Sequence, residues 1–410
     1  MSRLSRRRGL VGLLVTALMT LATAAAAFAI GTVVFDRGSE RANPDQTGSG
    51  SHTMADMAHP VAGNFEPDDT QIADCEGEFA CLEQAFGNLA YSKGPKPTLR
   101  VFDRMMLTDK AVDGNCHRIV HSIGSASLAR YQGNVAKAFA EGSASCWSGY
   151  YHGILERAFI DADPDDLGLI SRRLCDDDGI RTTKYLAYQC VHGLGHGLMI
   201  YTGYNLPVSL DVCDELATRW DQNSCSGGVF MENISSTYGV KSRWLKDDDL
   251  VYPCNVVAKR HKYYCYMMLT SRVLEANGYD WKPTADLCTT VESDWIDICF
   301  QSLGRDASGA TRQEAGKIMK LCNLAGRWVR ECVYGAARDI TANDSGTRRS
   351  VRLCQLAPRQ IRARCFDGIG TILADLSASD SQTRAACAAV TKRYFQACIR
   401  GAGLPLDAPA

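Results

Sequence analysis

Hydrophobic and polar positions divide the chain into three stretches. Residues 9–35 carry no charge and are mostly apolar, and Arg3, Arg6, Arg7 and Arg8 precede them. A spanning helix needs roughly 20 apolar residues and a signal-peptide core about 7–15. The run therefore reads as a transmembrane signal anchor, with residues 1–8 as a basic tail held in the cytoplasm and the body outside. The small-x-small triplet Ala27, Phe28, Ala29 marks the competing reading, a cleaved signal. Both readings export the rest of the chain. Residues 36–73 are polar, rich in Gly, Ser, Pro and Asp, and without apolar period, which predicts a flexible linker.

From Cys75 the pattern becomes helical. Strand-type alternation is scarce, and no Asn-Gly turn separates apolar runs. A repeat lies over this pattern. Cysteines pair as Cys213 with Cys225, Cys254 with Cys265, Cys288 with Cys299, Cys322 with Cys332, Cys354 with Cys365 and Cys387 with Cys398, always 10 to 12 residues apart. The first members recur after 41, 34, 34, 32 and 33 residues, in surroundings such as "LCNLAGRWVRECVYGAARD" and "LCQLAPRQIRARCFDGIGTI". Cys175 and Cys190 form a looser copy. A period in the thirties predicts helical hairpins stacked into a solenoid. The expected fold is all-α: a right-handed or irregular, solenoid-like array of disulfide-stapled hairpins behind one N-terminal transmembrane helix. The expected divisions are an N-terminal helical part at 74–205, stapled repeats at 206–402 and a tail at 403–410. The array resembles tetratricopeptide-like repeats by period only, since their Trp-Leu-Gly-Tyr pattern is missing.

Composition sharpens the compartment. The 18 cysteines contain no C-x-x-C, which argues against thioredoxin-type redox motifs and paired-cysteine zinc sites and favours disulfides in an oxidising compartment. A net charge of -1 gives no global attraction to nucleic acid, and no nucleic-acid partner is expected.

Aligning the units on the second cysteine exposes two further registers. Three residues on stand Gly149, Gly193, Gly228, Gly335 and Gly368. A Gly inside a helix costs about 1 kcal/mol against Ala, so its recurrence predicts close helix crossings. Six residues on stand His152, His196, Met231, Ser271, Arg305 and Arg338, which should share one surface. In "CVHGLGHGLMIY" His192 lies four before His196, and in "NCHRIVHSIG" His117 lies four before His121. Residues four apart share a helix face. Five of the eight histidines thus fall in three short segments.

His117, His121, His152, His192 and His196 are the expected metal ligands, with Glu156 and Glu232 as further ligands or catalytic proton-transfer groups. Neutral imidazole with carboxylate suits a transition-metal ion such as Zn, Fe or Cu. Two pairs allow one three- or four-histidine site or a two-metal site. There is no H-E-x-x-H, no Walker loop, no G-x-S-x-G elbow and no dinucleotide fingerprint. In the linker, His52, Met54, Met57 and His59 are softer copper-type donors, more simply read as linker residues. Tyr150, Tyr151, Tyr201 and Tyr204 flank the histidines as pocket walls, phenolic redox groups or packing. Arg305 with Asp306, and Arg338 with Asp339, read as exposed charges.

Two functions follow. One is a membrane-anchored, extracytoplasmic metal-binding repeat protein, a metalloenzyme if an open coordination position activates water or dioxygen. The other is an extracytoplasmic scaffold that grips a protein partner in the solenoid groove through residues 286–400, with structural histidines.

Overall fold

A computed structural model describes residues 65–406, apart from 161, 238 and 344–345. The expected anchor at 9–35, most of the linker and its His/Met stretch lie outside the described residues. Among those described there is no strand, and no helix is long and apolar enough to cross a membrane.

The chain is a succession of helices. The N-terminal part holds α1 (Phe79–Lys93), α2 (Pro95–Met106), α3 (Lys110–Gly114), α4 (Cys116–Arg130), α5 (Val135–Phe139), α6 (Ser145–Ala158), α7 (Leu167–Leu174) and α8 (Lys184–Tyr201). Then come α9 (Leu206–Asp214), α10 (Arg219–Ile234), α11 (Lys259–Ala276), α12 (Trp281–Cys288) and α13 (Ile296–Ala310). The last are α14 (Ala315–Cys322), α15 (Val329–Asn343), α16 (Arg348–Leu356), α17 (Arg362–Leu376), α18 (Asp380–Val390) and α19 (Phe395–Gly401). Local chemistry sets many starts. Thr183 accepts from the Leu186 amide before α8, and Thr218 from the Asp221 amide before α10. Phe65, inside the stretch expected to be linker, is buried against Gly87 of α1.

Helices α4, α6, α8, α10, α11, α13, α15, α17 and α19 stack in that order as an inner row. The row curls, so α6 also meets α15 and α8 meets α17. Short helices outside the row are tied to it by the cysteines. All seven spacing-based pairs are bonded, from Cys175–Cys190 to Cys387–Cys398. Two more bridges, Cys75–Cys81 and Cys116–Cys146, leave no free cysteine among the described residues. The stapled hairpins from Cys213 onward close loops of 10 to 12 residues. Such short loops do not depend on the rest of the fold to bring their ends together.

Glycine sets the spacing of the inner row. A Cβ on Gly228 would lie 1.9 Å from the His192 carbonyl oxygen, and one on Gly335 2.0 Å from that of Gln301. The recurring glycines therefore mark backbone crossings, as the register predicts; Gly193 is the loosest, with its first neighbour at 3.3 Å.

The second register needs a correction. Arg305, Asp306, Arg338 and Asp339 are half-buried rather than exposed. Asp306 accepts from Thr270, Ser271 and Arg305, and Arg338 donates to the Tyr263 hydroxyl at 3.1 Å. These positions face along the inner row, where neighbouring helices cover them.

Candidate metal centre

All five histidines named from the sequence come together. His117 and His121 stand on α4, His152 on α6, and His192 and His196 on α8, three successive members of the inner row. His121, His152, His192 and His196 are at most 3% exposed, and His117 is partly exposed. Ring centroids of His152 lie 5.6, 5.4, 5.5 and 4.2 Å from those of His117, His121, His192 and His196. The donor nitrogens form two triads that share His152: His117, His121 and His152, and His152, His192 and His196. Within each triad they lie within 4.8 Å of one another.

Local structure aims these rings. The four-residue spacing places each α4 and α8 pair on one face. At the start of α6, Cys146, Trp147 and Ser148 all adopt left-handed backbone, with φ of 46°, 55° and 63°. Non-glycine residues there are costly and need support from their surroundings. Here the Cys116–Cys146 bridge supplies it. The turn points the Cys146 carbonyl at His117 Nδ1, 3.0 Å away.

The carboxylates stand behind the histidines. Glu156 Oε1 is 2.7 Å from His121 Nδ1, and Glu232 Oε2 is 2.9 Å from His196 Nδ1. Glu232 also accepts from the Tyr204 hydroxyl, the Thr237 amide and the Thr237 hydroxyl, each at 2.8 Å. Burial raises its pKa, but the His196 and Thr237 hydrogen bonds outweigh burial and hold it below the usual range. An ionised Glu232 only accepts, so His196 Nδ1 carries the proton. His196 Nε2 is buried and without a hydrogen-bond partner. His152 Nδ1 is likewise buried and unpartnered.

The α4 pair has a similar arrangement of oxygens. A carbonyl accepts only, so His117 Nδ1 donates to Cys146, and His121 Nδ1 faces Glu156 Oε1 at 2.7 Å. The two Nε2 atoms lie 3.0 Å apart, within hydrogen-bond distance of each other. Burial first, then the neighbouring His121, pushes the His117 pKa down to about 3. Burial and the other imidazoles also hold His152 and His192 well below the usual value. These rings are neutral at pH 7, the state in which imidazole ligates metal.

His261 is the internal contrast. It is buried, yet its Nδ1 meets Ser226 Oγ at 3.2 Å and its Nε2 meets Asp214 Oδ2 at 3.3 Å. Both nitrogens have oxygen partners, so it is a satisfied structural histidine.

Some participants have little sequence signal. Tyr188 stacks on His192 and its hydroxyl is 3.3 Å from Nδ1; its position four residues earlier in the same helix was the available clue. Thr237 and the Cys146 carbonyl act through loop geometry and carry no motif. Of the flanking tyrosines, Tyr204 joins the Glu232 network, while Tyr150 and Tyr201 donate to the Ala138 and Ala162 carbonyls.

The chain matches no protein-family model, and comparison with curated proteins and with solved structures returns no match.

Proposed function

We propose that this chain is a membrane-anchored, extracytoplasmic metalloprotein whose helical-repeat body holds a transition-metal centre on His117, His121, His152, His192 and His196. The observation that carries the reading is His196. Its Nδ1 is committed to Glu232, and its buried Nε2 has no hydrogen-bond partner beside the His152 and His192 rings. Leaving a buried polar atom unsatisfied costs about 1–3 kcal/mol, and an ion removes that cost. A nitrogen-rich set fits Zn, Fe or Cu. Glu156 and Glu232 act in this reading as carboxylates that orient and polarise the ligating rings rather than as ligands. When bound, an ion with an open position supplies Lewis acidity, or oxygen chemistry if it is Fe or Cu. The chain's own residues fix the tautomers, exclude water and leave His117 as the most accessible edge.

Export and anchoring are part of the same proposal. The nine disulfides suit an oxidising compartment, and the uncharged run at residues 9–35 is the proposed anchor.

The test is elemental analysis of the full chain, exported and purified without chelator or histidine tag. Stoichiometric Zn, Fe or Cu, lost in His196→Ala with the helical circular-dichroism signal retained, supports the reading. Background metal after reconstitution with all three ions sinks it. The C-terminal repeats at 286–400 would then be the better lead, as the binding part for a protein partner.

A further inference from the structure

The two His-x-x-x-His pairs are built alike. In each, the second histidine sets its Nδ1 against a carboxylate from the next inner helix: His121 against Glu156 on α6, and His196 against Glu232 on α10. In each, the first histidine sets Nδ1 against an oxygen, the Cys146 carbonyl for His117 and the Tyr188 hydroxyl for His192. Each pair therefore has an oxygen placed against both of its Nδ1 atoms.

His152 differs from the other four. Among the described residues, none holds either of its ring nitrogens by a hydrogen bond, and its Nδ1 is buried. It stands between the pairs and completes both triads. The donor nitrogens form two triads, so a single ion would fill one triad and leave the other without an ion. Two ions satisfy both pairs, and an imidazole has one donor nitrogen for each.

We propose that the site holds two transition-metal ions, one on His117 and His121 and the other on His192 and His196, with His152 bridging them through its two nitrogens. This rests on the metal-binding reading above. A neutral His152 carries one N–H. Binding the second ion there breaks that bond and releases the proton to solvent, and the electron pair stays on nitrogen as the new donor. No electron is transferred. Each ion then has three nitrogen donors, which leaves a position for water or substrate.

Copper(II) alone is the probe. The full chain is stripped of metal, titrated with copper(II), and measured for bound copper and for integrated paramagnetic-resonance intensity. The expected result is two ions per chain with most of the intensity missing, because the shared imidazolate couples the two spins. His121→Ala should bind one ion with full intensity. His152→Ala should restore an uncoupled signal. One ion per chain in the wild type overturns the two-ion assignment, and two ions with full intensity overturn the His152 bridge. Both outcomes are read without any substitution, so a variant that fails to fold does not decide the matter. No bound copper, with zinc and iron equally absent on reconstitution, would overturn the metal-binding reading itself, a result distinguishable from the other two.

Discussion

His196 Nδ1 and Glu232 Oε2 lie 2.9 Å apart, both almost wholly removed from solvent, and Tyr204 and Thr237 add three more donors to the same carboxylate. This contact decides which nitrogen of His196 is free. Glu232→Gln keeps the shape but can present an amide N–H to Nδ1, which moves the ring proton to Nε2. Supporting carboxylates of this kind contribute 10–100-fold in metal affinity. Glu232→Gln is expected to weaken binding by about that factor in a chelator competition assay. Unchanged affinity would mean the carboxylate does not set the tautomer.

The glycines beside the ligands should tolerate nothing larger. A Cβ on Gly153 would lie 2.0 Å from the His121 carbonyl oxygen, and one on Gly228 1.9 Å from that of His192. Backbone cannot give way as a side-chain tip can. Gly153→Ala and Gly228→Ala are expected to cost about 1–3 kcal/mol or more and to reduce bound metal. Gly309 on α13 has nothing within 4 Å of its would-be Cβ. Gly309→Ala should be neutral or stabilise by up to about 1 kcal/mol. Equal losses at all three positions in urea unfolding would refute the close-crossing account.

Staples far from the histidines should support the fold and not the chemistry. Cys288–Cys299 ties α12 to α13, neither of which carries a candidate ligand. Replacing both with serine is expected to cost about 2–4 kcal/mol. Bound metal per folded chain should stay at the wild-type level by elemental analysis. A matching loss of metal would show that the C-terminal repeats help form the centre.

Asp339 gives a pH signature away from the ligands. Burial, with Asp306 beside it, raises its pKa to about 6, against 3.8 ordinarily. The folded state therefore disfavours its charged form. Its contribution is most favourable below the unfolded value and is lost as pH rises through about 6. Asp339→Asn should accordingly raise the melting temperature at pH 7 to 8, by the equivalent of about 1–2 kcal/mol, and change little near pH 3. A gain of the same size at both pH values would place the effect in packing and not in charge.

Much of the fold was legible in the chain. Cysteines 10 to 12 residues apart in a recurring frame identified the stapled hairpins, and seven bridges follow that reading. The glycine register located the helix crossings. Cys116 and Cys146, thirty residues apart, fall outside the frame and could not be paired from spacing. The charged register at Arg305 and Arg338 was misread because helical period identifies a face but not what covers it.

For the site, the sequence by itself determined the ligand types and their helix faces, because four-residue spacing and repeat register are local properties of a helix. It did not determine the direction of a single lone pair. That depends on where α4, α6 and α8 cross, on a left-handed turn at Cys146, and on acceptors brought from other helices and loops: Glu156 to His121, Glu232 and Thr237 to His196. Those contacts join residues that no local period connects, and only the packed tertiary structure places their oxygen atoms within 3 Å of the rings and of each other's donors.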